Sequence, residues 1–172
     1  MNIRVLILEE HSKQQQLKII ALIGNNHAYF LELMHLFLTD EYRVVQRVAW
    51  VVGALGETHP EWFIDFLPNI IQKIKQPEHE AVKRNCLRVL TFLDIQEEWQ
   101  GEVFDICFHI IGSFEELPAP KAYSITIITN YIKTYPELAL ELNILLEQIL
   151  PNEGPAVRSK ARQFYKVYKP EN

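Results

Sequence analysis

Six histidines (His11, His27, His35, His59, His79 and His109) and two cysteines (Cys86 and Cys107) are the side chains through which this chain could bind a metal or move protons. Their spacing argues against both. No His pair has the HExxH pattern, and no His/Cys cluster has ligand spacing. His109, two residues beyond Cys107 in an apolar stretch, reads as a buried histidine with a backbone partner. Ser124 lacks the G-x-S-x-G turn that would expose it as a nucleophile, and six glycines form no phosphate-cradling loop. No catalytic residue, metal or cofactor is expected, which leaves recognition by charge and by aromatic side chains.

The elements that position such residues repeat. A small residue stands four places after an apolar or Pro anchor in Val45/Ala49, Val82/Cys86, Pro120/Ser124 and Val157/Ala161, so the period is about 37 residues, the signature of stacked helix pairs. Outer helices are predicted over 26–38, 60–75, 96–113 and 136–150. Inner helices follow over 41–57, 78–94, 119–134 and 155–168. Residues 26–168 form four units and 1–25 an irregular partial repeat with a helix from Ser12 to Ile23, within one domain spanning 1–172. Thr58-His59-Pro60-Glu61, Asp94-Ile95-Gln96-Glu97 and Thr134-Tyr135-Pro136-Glu137 read as capping boxes at the starts of outer helices. Trp62 and Trp99, each after a Glu at such a start, read as packing residues.

At 100° per residue, offsets 0, +4, +7, +8 and +11 from each anchor share the core side of the inner helix. Offsets +2, +5, +6 and +9 fall opposite, and none of those sixteen positions is acidic although the chain carries a net charge of −5. This stripe supplies the candidate binding residues: Arg47, Trp50, Arg84, Arg88, Thr126, Thr129, Arg162 and Lys166. Acids gather on the outer helices and turns instead, among them Asp65, Glu98, Glu102, Asp105, Glu137, Glu141 and Glu147. A face without acids suits an acidic or extended peptide, with Arg and Trp as anchors. The last inner helix also carries Arg158, Lys160 and Lys169, a polar face that would cap the stack.

Composition sets outer bounds. With 48% apolar and 23% charged residues, the chain can build one continuous core, and its acidic balance argues against a dedicated nucleic-acid binder. No segment reaches the roughly 20 apolar residues of a membrane span, and no secretion signal is read. Two cysteines without CxxC spacing are expected to be reduced, in a cytoplasmic setting.

Val82-Lys83-x-x-Cys86 and Val157-Arg158-x-x-Ala161, with Glu41, Glu78, Glu116 and Glu153 four residues before the anchors and Gln46, Lys83, Lys121 and Arg158 one after, resemble the inner-helix pattern of HEAT repeats. The resemblance implies an all-α, right-handed α–α superhelix of HEAT/armadillo type. It also implies a non-catalytic, protein-binding scaffold with a concave face. The bases are expected to bridge to turn acids of neighbouring units. The segments Arg47-Val48-Ala49-Trp50-Val51-Val52, Lys121-Ala122-Tyr123-Ser124 and Lys160-Ala161-Arg162 are similar to small bacterial HEAT-like proteins often labelled adenylosuccinate lyase. That enzyme's Gly- and Ser-rich loop ahead of Met-Pro has no counterpart here. The alternative is nucleic-acid binding, by similarity to HEAT-like alkylation-repair DNA glycosylases, whose catalytic Asp finds no matching position.

Overall fold

A computed structural model describes residues 2–168, and every regular element among them is helical. In chain order these are α1 (Ile3–Glu9), α2 (Lys13–Ile23), α3 (His27–Thr39), α4 (Tyr42–Thr58), a 3-10 segment Pro60–Phe66 running into α5 (Leu67–Lys75), α6 (Glu80–Leu90), α7 (Glu97–Gly112), α8 (Pro118–Tyr131), α9 (Pro136–Ile149) with a 3-10 turn Leu150–Asn152, and α10 (Pro155–Val167). They form two compact units, Met1–Ile95 and Gln96–Asn172. In the first, the pairs α3/α4 and α5/α6 lie side by side, with α1 and α2 packed on α4. In the second, α8 packs against α7 and α10, and α9 against α7 and α8. Lys169 lies outside the described residues.

The expected helix pairs are present, with physically instructive departures. The second outer helix does not run straight through 60–75. Pro68 has no N–H to give and crowds the carbonyl four residues back, so the segment opens as a 3-10 helix and turns α only from Leu67. The second inner helix ends at Leu90 rather than 94, and the Thr91 hydroxyl takes the Arg88 carbonyl at 2.7 Å.

The capping boxes are corrected. Thr58 is the last residue of α4 and donates its hydroxyl to Leu55 O at 3.3 Å. His59, Gln96 and Tyr135 occupy the N-cap positions without a side-chain bond. Side-chain caps stand elsewhere: Asn2, Ser12, Asn26 and the His79 ring nitrogen each accept from an N–H of the first turn. His109 is corrected too. With Cys107, Ile110 and Ile111 turned inward on α7, the intervening position faces solvent.

The small residues of the repeat all lie in the core: Ala49, Cys86 and Ser124 are fully buried and Ala161 is 2% exposed. In the first unit the close approach extends along α4. A Cβ on Gly53 would come 2.3 Å from Asn85 Oδ1, and one on Gly56 would lie 2.9 Å from the Cα of Val89. Asn85, itself 3% exposed, fills the resulting space and donates Nδ2 to Ala81 O at 2.8 Å. Burial pushes the Cys86 thiol up to about 12, and likewise Cys107, where the neighbouring Ser124 hydroxyl only partly offsets it. Neither cysteine is in a disulfide. Ser124 Oγ has no conventional hydrogen-bond partner despite complete burial.

Two substitutions test this packing by their sign. Ala is favoured over Gly in a helix by about 1 kcal/mol, so Gly56→Ala would stabilise an uncrowded helix. Against the Val89 backbone it is expected to destabilise by about 1–3 kcal/mol in a denaturant melt, because a backbone contact cannot rotate away. Ser124→Ala removes a fully buried hydroxyl whose contact with the Cys107 thiol is a weak bond, so its desolvation of about 1–3 kcal/mol is only partly offset and the substitution is expected to raise the melting midpoint.

Candidate functional site

The eight candidate residues divide four to each unit. On α4, residues 43, 47, 50, 54 and 57 follow one helical ridge, and Arg43 and Glu57 at its ends are exposed. Arg47 is not free for a ligand. Its Nη1 donates to Ile7 O at 3.1 Å and Leu8 O at 3.0 Å, supplying the donors that the last turn of α1 lacks. Trp50 is half-buried beside it. The Trp50 ring meets His11 at 5.5 Å between centroids, and the Trp50 carbonyl accepts from Gln16 Nε2 at 2.8 Å. The irregular N-terminal segment therefore covers the side of α4 that the stripe assigned to solvent.

On α6, Arg84 is exposed and makes no ion pair among the described residues. Arg88, one turn on, donates Nη2 to Glu57 at 2.7 Å. Glu57 stands twelve residues after Val45, one turn beyond the last offset of the stripe, so the sequence reading missed an acid that the ridge brings to an Arg. In the second unit the hydroxyls of Thr126 and Thr129 donate to the carbonyls of Ala122 and Ile125 at 3.0 and 2.7 Å. Arg162 and Lys166 on α10 are exposed. Four other stripe positions, Val51, Leu87, Ala122 and Ile125, are core residues. The apolar arcs of α4, α6 and α8 are therefore wider than one stripe, whereas α10 buries none of its stripe positions.

The acid/base ladder appears in part, as a scaffold device. Lys121 Nζ donates to Glu153 Oε1 of the next repeat, with side chains 4% and 13% exposed. In the first repeat Gln46 replaces the base, and its carboxamide meets His79 Nε2 at 3.2 Å. His79 Nδ1 accepts from Ala81 N–H at 2.9 Å, so the ring caps α6 and touches α4 at once. Glu78 pairs instead with Lys73 at 2.6 Å, which also lies over the Phe37 ring. Arg158 caps its own turn, donating to Glu153 O at 2.7 Å and Pro151 O at 3.3 Å. Glu41 faces Arg4, whose main partner is Asp40 at 2.7 Å.

Trp62 packs through its ring, and Trp99 is half-buried. Trp62 stacks on His59 with centroids 4.1 Å apart and meets Phe30 and the edge of His27. Among the described residues no three His, Cys, Asp or Glu side chains gather in a way that could hold a metal, and no helix is long and apolar enough to cross a membrane.

The family model for the HEAT repeat domain matches residues 4–167. No curated protein and no solved structure matches, so the similarity to proteins labelled as lyases stands on the sequence segments alone.

Two predictions follow the engaged residues. Arg47→Ala should cost about 1–3 kcal/mol, since it strips a charged donor from two helix-end carbonyls, whereas Arg84→Ala should stay within about 0.5 kcal/mol of the parent; equal losses would contradict the assignment. The Arg4 hydrogen bond, then the Glu41 backbone N–H, holds the Asp40 carboxyl below its usual range. A lowered folded pKa gives stability that is complete above the ordinary Asp range and lost as pH falls through the folded value. Acid titration of the melting midpoint should therefore be shallower in Asp40→Asn than in the parent.

Proposed function

Because the chain belongs to the HEAT repeat family, we propose that it is a non-catalytic interaction module that binds an acidic, extended segment of another protein along the solvent side of its inner helices. HEAT repeats are commonly protein-interaction scaffolds, and fold alone does not select the ligand. One observation carries the ligand's charge. Arg84 in the first unit and Arg162 and Lys166 in the second are exposed and make no ion pair among the described residues, while Arg47, Arg88 and Lys121 are held by the scaffold.

Each unit then offers a ligand its own cationic tips, Arg84 on α6 in the first and Arg162 and Lys166 on α10 in the second, where Thr126 and Thr129 of α8 are part-buried. Charge steers the encounter and an extended chain supplies the reach. The two thiols, both buried and unpaired, fit a reducing compartment such as the cytoplasm. Residues 1–172 act as one module in this reading, since the family match runs across both units.

The test is binding of a labelled Glu/Asp-rich peptide and of a DNA duplex to the parent and to Arg84→Glu/Arg162→Glu/Lys166→Glu. The peptide is expected to bind, to weaken by about tenfold or more in the variant, and to weaken as salt screens the attraction. Unchanged peptide affinity in a folded variant would remove the face from consideration. Tighter binding of the duplex, lost in the same variant, would establish the nucleic-acid reading instead.

A further inference from the structure

We propose a second docking surface, the outer face of α7 and α9, which takes a basic amphipathic helix of a partner protein. α9 already has a complete core side: Leu138, Ala139, Leu142, Leu146 and Ile149 are buried. Its opposite side should be polar if it only met water. Leu140 and Ile144 stand there instead, 58% and 50% exposed, and their i, i+4 spacing puts them on one stripe. Ile144 and Leu145, with Phe108 of α7, line an open groove of about 300 Å³ whose rim includes Glu141 and Gln148. All of these residues belong to the second unit. Among the described residues, neither Leu140 nor Ile144 belongs to the buried core of that unit.

Charge identifies the occupant. α7 carries four carboxylates and α9 three, and neither helix contains a Lys or Arg; His109 is their only side chain able to become cationic. An apolar stripe between carboxylates is complementary to a helix that alternates apolar anchors with Lys or Arg. The same field opposes the other candidates. An anionic lipid surface and an acidic peptide are repelled, and two copies meeting through this same face would bring acid against acid. The 14 residues of α9, rising about 1.5 Å each, present roughly 21 Å of track. The partner is therefore a helix of three to four turns with apolar residues at i, i+3 or i+4, and i+7.

The experiment uses the full chain and two labelled peptides that share Leu at those positions, one with Lys at the remaining sites and one with Glu. Anisotropy titration should show the Lys peptide binding, and the Glu peptide at least about tenfold weaker. Leu140→Lys/Ile144→Lys alters two exposed positions, so it should keep its helical spectrum and melting midpoint while losing about tenfold or more in affinity for the Lys peptide. Glu137→Gln/Glu141→Gln/Glu147→Gln keeps the groove apolar, and should weaken binding less and flatten its salt dependence. Arg84→Glu should leave this binding unchanged, which separates it from binding on the inner helices. Equal affinity for the two peptides, or undiminished binding by the folded Leu140→Lys/Ile144→Lys variant, would overturn the proposal. So would sedimentation showing a parent dimer that this variant dissociates, because the groove would then hold a second copy.

Discussion

The first unit depends on how closely α4 can approach α6. Gly56 brings the α4 backbone to where a Cβ would lie 2.9 Å from the Val89 Cα, and Gly53 leaves room for the whole carboxamide of Asn85. At 17 residues α4 is the longest helix, and it carries two residues that each weaken a helix by about 1 kcal/mol relative to Ala. That cost is recovered only if the partner fills the space, and Val89 and Asn85 do. Placed against each other in this way, the two helices bring Glu57 to Arg88 and Gln46 to His79. The polar contacts between the repeats follow from the apolar seam rather than creating it.

The seam also decides what the charges can do. Around it in the first unit, Arg4 holds the end of α3 at Asp40, Arg47 holds the end of α1 and Lys73 holds Glu78; within the second unit, Lys121 holds Glu153. The exposed pairs among these contribute little individually. The nearly buried Lys121–Glu153 pair differs, because removing either partner would leave a charge out of water. Its value lies in fixing the register between α8 and the turn before α10. A base engaged in this way is a poor choice for ligand binding, so the cations left over mark the face better than the total does.

The helix pairs, their period and the buried small residues were legible because 3.6-residue periodicity and a repeat of about 37 residues reinforce each other across four copies. The caps were harder to read. Thr58 looked like a cap, but Pro60 starts the next segment so soon that Thr58 still belongs to α4 and bonds backwards. The stripe was half legible. Arg84, Arg162 and Lys166 face solvent as expected, whereas Val51, Leu87, Ala122 and Ile125 are core, since a helix flanked by neighbours buries far more than one face. The use of Arg47 could not be read, because it depends on a 40-residue separation in a segment without regular repeat. Glu57 was missed by one turn. Leu140 and Ile144 were visible in the sequence at i, i+4 spacing, but only the structure shows that a different set, led by Leu142 and Leu146, faces inward.

The two oppositely charged faces of the second unit have a common origin. Among its described residues the Lys and Arg side chains, Lys121, Lys133, Arg158, Lys160, Arg162 and Lys166, all sit on or directly after α8 and α10. Turn acids draw bases to the starts of inner helices, and α10 adds its own set. The outer helices α7 and α9 receive none, although acids in their first turns favour their N-termini. Each of these choices is local and stabilising or neutral for the helix concerned. Together they leave basic residues on the inner helices and a carboxylate field around an exposed apolar stripe on the outer ones. A surface designed only for solubility would mix the signs, and this segregation is the feature on which the two proposed docking surfaces rest.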